Sequence, residues 1–209
     1  MSTLWDQTLN TFCHETASSK PTPGGGSVTA VCSVFGLGLI IMALEITKKS
    51  SQNLAAVEAT LLAAVALLEK LKVHADEDIS VFECYMKALR LPKTTDEEIA
   101  SRKLAILAAA ENATESPLAS ARDMINALEL GLAASELVKA NVLSDIGAGS
   151  NLIEGAIAGT LRNVDINLPQ LSPAAAEKAG ASRDHLAGRS QQLAEAINKA
   201  IQKRLSPML

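Results

Sequence analysis

Two polar clusters in an otherwise aliphatic chain have residue types and spacings suited to binding chemistry. The first is "KPTPGGGSV", Lys20 to Val28, where three glycines in a row precede a nearly uncharged apolar run. A helix starting there leaves its first N–H groups without internal partners, with about half a positive charge between them, and glycines let a ligand approach that backbone. Gly24, Gly25 and Gly26 can therefore make an anion or carbonyl-oxygen site. The plainer alternative is a flexible corner with Ser27 as N-cap. The stretch is not a Walker loop, since the G-x-x-x-x-G-K-[ST] spacing is absent, and Ser27 does not sit in a G-x-S-x-G elbow.

The second cluster is "NVLSDIGAGSNLIEGAIAGTLRNVDINLPQL". Asn141, Ser144 and Asp145 precede a small-residue helix, and Asn163, Asp165 and Asn167 follow it. Capping by Ser144 or Asp145 and turn satisfaction by Asn163 and Asn167 would account for each residue singly. Neither explains six short polar side chains at the two ends of one helix, because buried polar groups are costly unless satisfied or used.

Few elements are needed to position these groups. Hydrophobic residues make up 48% of the 209-residue chain and aromatics only 2%, so Ala, Leu, Ile and Val must build the core, which favours close helix packing. The expected fold is one all-α domain, residues 1–209, with six helices. They cover about Leu4 to Ser18, Ser27 to Thr47, Gln52 to Leu91, a fourth reaching Val138 that Pro117 interrupts or divides, Gly147 to Asn163, and Pro173 to Leu205. Thr94 or Thr95 caps the fourth, with Asp96, Glu97 and Glu98 complementing its dipole. The second helix is long enough for a bilayer, but amphipathic partners and the lack of a flanking Arg cluster or aromatic belt predict a core helix coated by its neighbours.

Charge and cysteine usage exclude other classes. A formal charge of -4 without a basic block argues against nucleic acid and anionic lipid. Cys13, Cys32 and Cys84 are too dispersed for a disulfide framework or zinc site, and His14, His74 and His185 are scattered, so no metal is expected. With no basic region leading into an apolar stretch at the N-terminus, a cytoplasmic location is expected.

"KPTPGGGSV", a small-residue helix ending in "TKK", "DISVFECYMKALRLPK", "ATESPL", "SDIGAG" and "NVDINL", in this order, resemble the cyclodeaminase/cyclohydrolase family. That family includes methenyltetrahydrofolate cyclohydrolases and the C-terminal domain of formiminotransferase-cyclodeaminase. The resemblance implies a helical bundle, a homodimer, a reduced folate as substrate with no further cofactor, and a glutamate formimidoyltransferase as a partner in some members. Carried over by position, it implies acid/base roles for Asp78 and Asp145 and substrate positioning or polarisation by Lys48 or Lys49. It also implies binding roles for Pro23, Gly24, Gly25, Gly26, Ser27, Ser144, Asn163 and Asn167. Taken alone, Asp78 would be a solvated residue beside Asp76 and Glu77, and the two lysines a cationic helix cap.

A carboxylate near a lysine in a partly desolvated cleft can be tuned as either acid or base. The cyclohydrolase is expected ahead of the cyclodeaminase, because no transferase accompanies the domain. With one Trp, one Tyr and three Phe, the pterin is expected between aliphatic side chains and glycine backbone. Glu45, the short lysine run followed by Ser50 and Ser51, and bulky Phe35, Leu37 and Ile40 depart from the family pattern. They bear on the substrate and leave open a non-catalytic folate-binding or scaffold paralogue.

Overall fold

The computed structural model describes residues 3–49 and 51–206; Ser50 lies outside them. Among the described residues there are six α-helices and no strand: α1 (Leu9–Thr16), α2 (Gly25–Lys48), α3 (Leu54–Leu89), α4 (Asp96–Leu137), α5 (Leu143–Asn167) and α6 (Pro173–Leu205). Short 3-10 turns at Leu4–Asp6, Ala140–Val142 and Leu168–Gln170 complete the order. The expected first helix is thus split: Leu4–Asp6 is a separate turn held by Thr3 and Asp6, and Asp76 on α3 accepts from the Leu4 N–H at 2.8 Å.

Helix α2 lies at the centre of the bundle, against α3, α5 and α4, while α6 covers α4 and α5. Leu37, Ile40, Ala43 and Leu44 of α2 are fully buried. α2 and α5 run antiparallel in backbone contact: a Cβ on Gly36 would lie 2.6 Å from the Gly149 carbonyl oxygen, so the crossing tolerates only glycine there. Nearer the start of α2, Thr29 and Thr160 join the pair through their hydroxyls at 2.7 Å. The coat on every side is not complete, however. Phe35, Met42 and Ile46 are 48%, 40% and 37% exposed along one side of α2, and 56% of its most apolar window is buried, although its length and composition suffice to cross a membrane.

Pro117 does not interrupt α4, which continues through it. Proline has no N–H for the carbonyl of Ala113, four residues earlier. Asn167 of α5 supplies the missing donor, its Nδ2 lying 2.7 Å from that oxygen. The start of α4 is as expected, with Thr95 accepting from the Glu98 N–H and Glu98 accepting from the Thr95 N–H. Helix α5 is longer than expected at both ends: Ser144 and Asp145 lie in its first turn with Val142 as N-cap, and Asn163 and Asn167 lie within its last turns. The distal halves of α3 and α4 extend past the start of α2 and bury little there, Ala88 being the buried residue between Ala75 and Ala110.

Candidate functional site

The site is built around the start of α2. Gly24 is the N-cap and Ser27 the third helical residue, so Ser27 is not the cap expected of it. It donates instead: its backbone N–H and its Oγ each bond Asp78 Oδ2 at 2.8 Å. A carboxylate on α3 thus caps α2 from fifty-one residues away and places negative charge at the positive end of the helix dipole. Ser27 is fully buried, and Asp78 half-buried rather than solvated. The Gly25 and Gly26 N–H groups have no acceptor among the described residues.

The glycine that this geometry requires is Gly26. A Cβ there would overlap Asp78 Oδ1 and lie 2.8 Å from Asn163 Nδ2, whereas a Cβ on Gly25 would meet nothing within 4 Å. No described glycine has a positive φ, so a side chain at Gly25 would carry no backbone strain.

Asn163 and Asn167 sit four residues apart and so share one face of α5. The "NVDINLP" alternation conceals this pairing because it suggests a turn. Asn167 closes the Pro117 gap, and since Ala113 can only accept, the amide nitrogen must face it and the Asn167 carbonyl oxygen remains available as an acceptor. Asp165, between them, pairs with Arg162 and Arg183 on the other side.

These groups line one cavity of about 310 Å³. Gly24, Gly25 and Gly26 form one wall, Asp78 and Asn163 the floor beside them, and Ala113, Ser116, Pro117 and Asn167 another wall. The remaining wall is aromatic. Phe82 and Tyr85 follow Asp78 by four and seven residues on the same face of α3, so the cavity is not purely aliphatic and glycine-lined. That helical spacing was the sequence signal for them.

The other expected residues lie elsewhere in the subunit. Pro23 is buried beside the pocket and lines a neighbouring cavity with Leu4 and Asp76. Lys48 and Lys49 end α2, which at about 1.5 Å per residue puts them about 35 Å from the glycines. Ser144 and Asp145 begin α5 at that same far end, where Asp145 complements the helix dipole. Lys48 pairs with Glu58 at 3.1 Å, while Lys49 has no ion-pair partner among the described residues. One subunit therefore gathers Asp78, Gly24–Gly26, Ser27, Asn163 and Asn167 and leaves both lysines, Ser144 and Asp145 at the opposite end. No histidine lines the cavity; His74 joins α3 to α4 through Asp123 at 2.9 Å.

The arrangement provides two free N–H donors, a carboxylate beside them, amide donors and acceptors, and an aromatic face. Such a pocket can hold a flat, hydrogen-bonding heterocycle and exchange a proton with it. The formiminotransferase-cyclodeaminase family model matches residues 8–185. The methenyltetrahydrofolate cyclohydrolase of Methylorubrum extorquens is 34% identical over 78% of each chain. The formimidoyltransferase-cyclodeaminases of Gallus gallus and Sus scrofa are 27% and 31% identical, and the chain spans about a third of their length. A formiminotetrahydrofolate cyclodeaminase from Thermotoga maritima, solved by crystallography, shares the fold, with a TM-score of 0.78 over 97% of each chain at 24% identity.

Proposed function

Because the chain belongs to the formiminotransferase-cyclodeaminase family, we propose that it is a folate one-carbon enzyme that hydrolyses 5,10-methenyltetrahydrofolate to 10-formyltetrahydrofolate. The observation that carries the reading is the convergence of Asp78, Asn163, Asn167 and the bare Gly25 and Gly26 N–H groups on one pocket. The bicyclic pterin and its one-carbon bridge suit the cavity, with the ring against Phe82 and Tyr85. The reading calls for no cofactor beyond the folate itself.

In this reaction water adds to the electrophilic methenyl carbon while a base takes one of its protons. The carbon–N5 bond then breaks as the hydroxyl becomes the formyl carbonyl, N5 gains a proton, and the formyl group stays on N10. Asp78 Oδ2 is held by Ser27, which leaves Oδ1 beside Gly26 as the oxygen to accept the proton. The Gly25 and Gly26 N–H groups stabilise negative charge developing on the added oxygen.

The second reading is the cyclodeaminase, favoured by the bird and mammal relatives. There N10 attacks the N5-formimino carbon and ammonia leaves once protonated, so Asp78 must act as an acid. The identity to the M. extorquens cyclohydrolase places hydrolysis first. The test is direct: accelerated loss of methenyl absorbance over the spontaneous rate supports hydrolysis, and rapid methenyl formation with ammonia release from formimino-folate in its absence reverses the choice. Tight folate binding without turnover of either substrate would make the protein a binding paralogue. A homodimer is part of the proposal, since the pocket is open beside Gly25 and the lysines are remote from it.

A further inference from the structure

The pocket accounts for the pterin end of a folate but not for the other end, where an aminobenzoyl group carries a glutamate with two carboxylates. No lysine or arginine among the described residues lines the cavity at the start of α2, and Asp78 within it is itself an acid. The whole chain has a formal charge of -4, so it offers a dianionic tail no general attraction. The charge on either side of the cavity decides where that tail can go.

On one side, across Thr22, lies the neighbouring cavity that Pro23 and Asp76 line. Glu15 and Glu83 line it as well, and its lysine, Lys20, is already paired with Glu15 at 3.3 Å. That side repels carboxylates. On the other side, the outer halves of α3 and α4 lead to a cavity of about 290 Å³ lined by Lys93, Ile99, Arg102, Lys103 and Ile106. None of its three cations has an ion-pair partner among the described residues. Arg102 is held in place: its Nε and Nη2 both donate to the Leu89 carbonyl oxygen, at 3.3 and 3.0 Å, which leaves Nη1 without an acceptor among the described residues.

The pocket and this basic groove share one face of α4. Ile106 precedes Ala113 by close to two whole turns and Arg102 precedes it by close to three, with half-buried Ala109 on the same face between. At about 1.5 Å per residue the groove begins about 10 Å from Ala113 and reaches about 16 Å at Arg102. An aminobenzoyl group with one glutamate extends about 13 Å, and each further γ-linked glutamate adds about 6 Å. We propose that this groove holds the carboxylates of the substrate's glutamyl tail, and that it binds folates bearing several γ-linked glutamates more tightly than those bearing one. Arg102 meets the first glutamate, and Lys93 and Lys103 meet those after it. The proposal rests on the substrate being a folate, as proposed above.

Binding is read by calorimetry with tetrahydrofolate carrying one or three glutamates, which needs no turnover. Wild type is expected to bind the triglutamate about tenfold more tightly, since each exposed pair of carboxylate and cation contributes little alone. The double substitution Lys93→Gln and Lys103→Gln should abolish that preference and leave monoglutamate binding within about twofold of wild type. Lys93→Arg with Lys103→Arg should keep the preference. Lys178→Gln with Lys203→Gln on α6 removes the same charge elsewhere and should keep it too. Raising salt from about 0.05 to 0.5 M should shrink the preference of wild type.

Turnover separates the groove from the reacting atoms. With methenyl substrate, Lys93→Gln with Lys103→Gln should raise KM for the triglutamate about tenfold at unchanged kcat. A wild type that binds mono- and triglutamate equally would overturn the proposal and leave the folate reading of the pocket intact. So would a preference that survives Lys93→Gln with Lys103→Gln, or one lost equally from Lys178→Gln with Lys203→Gln, as a bulk effect of charge would be. A wild type that binds neither form would instead sink the function proposed above.

Discussion

At the scale of single residues, Asp78 has two separable tasks. It caps α2 through Ser27, and it offers a charged oxygen to the pocket. Asp78→Asn keeps an acceptor for the Ser27 N–H and Oγ while removing the charge. Its melting temperature is expected to stay within a few degrees of wild type while kcat falls by about two to four orders of magnitude. Asp78→Ala removes both tasks and should also cost about 1.5–3 kcal/mol in denaturant unfolding, because the Ser27 N–H is left buried and unpaired. If Asp78→Asn loses stability but not kcat, Asp78 is a cap only. The glycines divide similarly. Gly26→Ala must displace Asp78 or Asn163, so both stability and kcat/KM should drop. Gly25→Val sets its Cβ in open space and carries no backbone strain, so its effect should fall on folate binding and on the dimer rather than on the fold of the subunit. Folate binding and conversion at the parental level by a dimeric Gly25→Val protein would contradict the account.

At the scale of elements, the link between Pro117 and Asn167 ties α4 to α5 and fixes the wall opposite the glycines. Asn167→Ala should cost about 1–3 kcal/mol by orphaning the Ala113 carbonyl. In a Pro117→Ala background, where a backbone N–H returns to that carbonyl, the same substitution should cost much less. Additive losses in chemical denaturation would show that the two residues are independent. This link also marks what the sequence could and could not reveal. Helix existence was legible, because apolar periodicity and the Thr95 and Pro173 starts act locally. Pro117 misled because its missing hydrogen bond is replaced from another helix, which no local pattern records. "NVDINL" misled for the converse reason: its alternation mimics a loop, while helical spacing places Asn163 and Asn167 together on the cavity. Phe82 and Tyr85 were readable once Asp78 fixed the face of α3, since they follow it by four and seven residues.

At the scale of the whole molecule, α2 is hydrophobic around most of its circumference, and one subunit leaves Phe35, Met42 and Ile46 exposed along one side of it. Composition revealed the need for a coat but not which face a partner must supply, because that depends on where α3, α4 and α5 pack. If a second copy supplies it, thermal stability should rise with protein concentration, as folding is then linked to association. Phe35→Glu should abolish that dependence and yield a helical monomer of lower melting temperature; an unchanged, concentration-independent melt in both proteins would place the two copies apart. The central claim is that the pocket at the start of α2 turns over a reduced folate. It is tested most directly by following methenyl absorbance with wild type and Asp78→Asn side by side, at matched folded concentration by circular dichroism. The account expects wild type to accelerate the decay well above the spontaneous rate and Asp78→Asn to bring it close to that rate; equal acceleration by both proteins would contradict it.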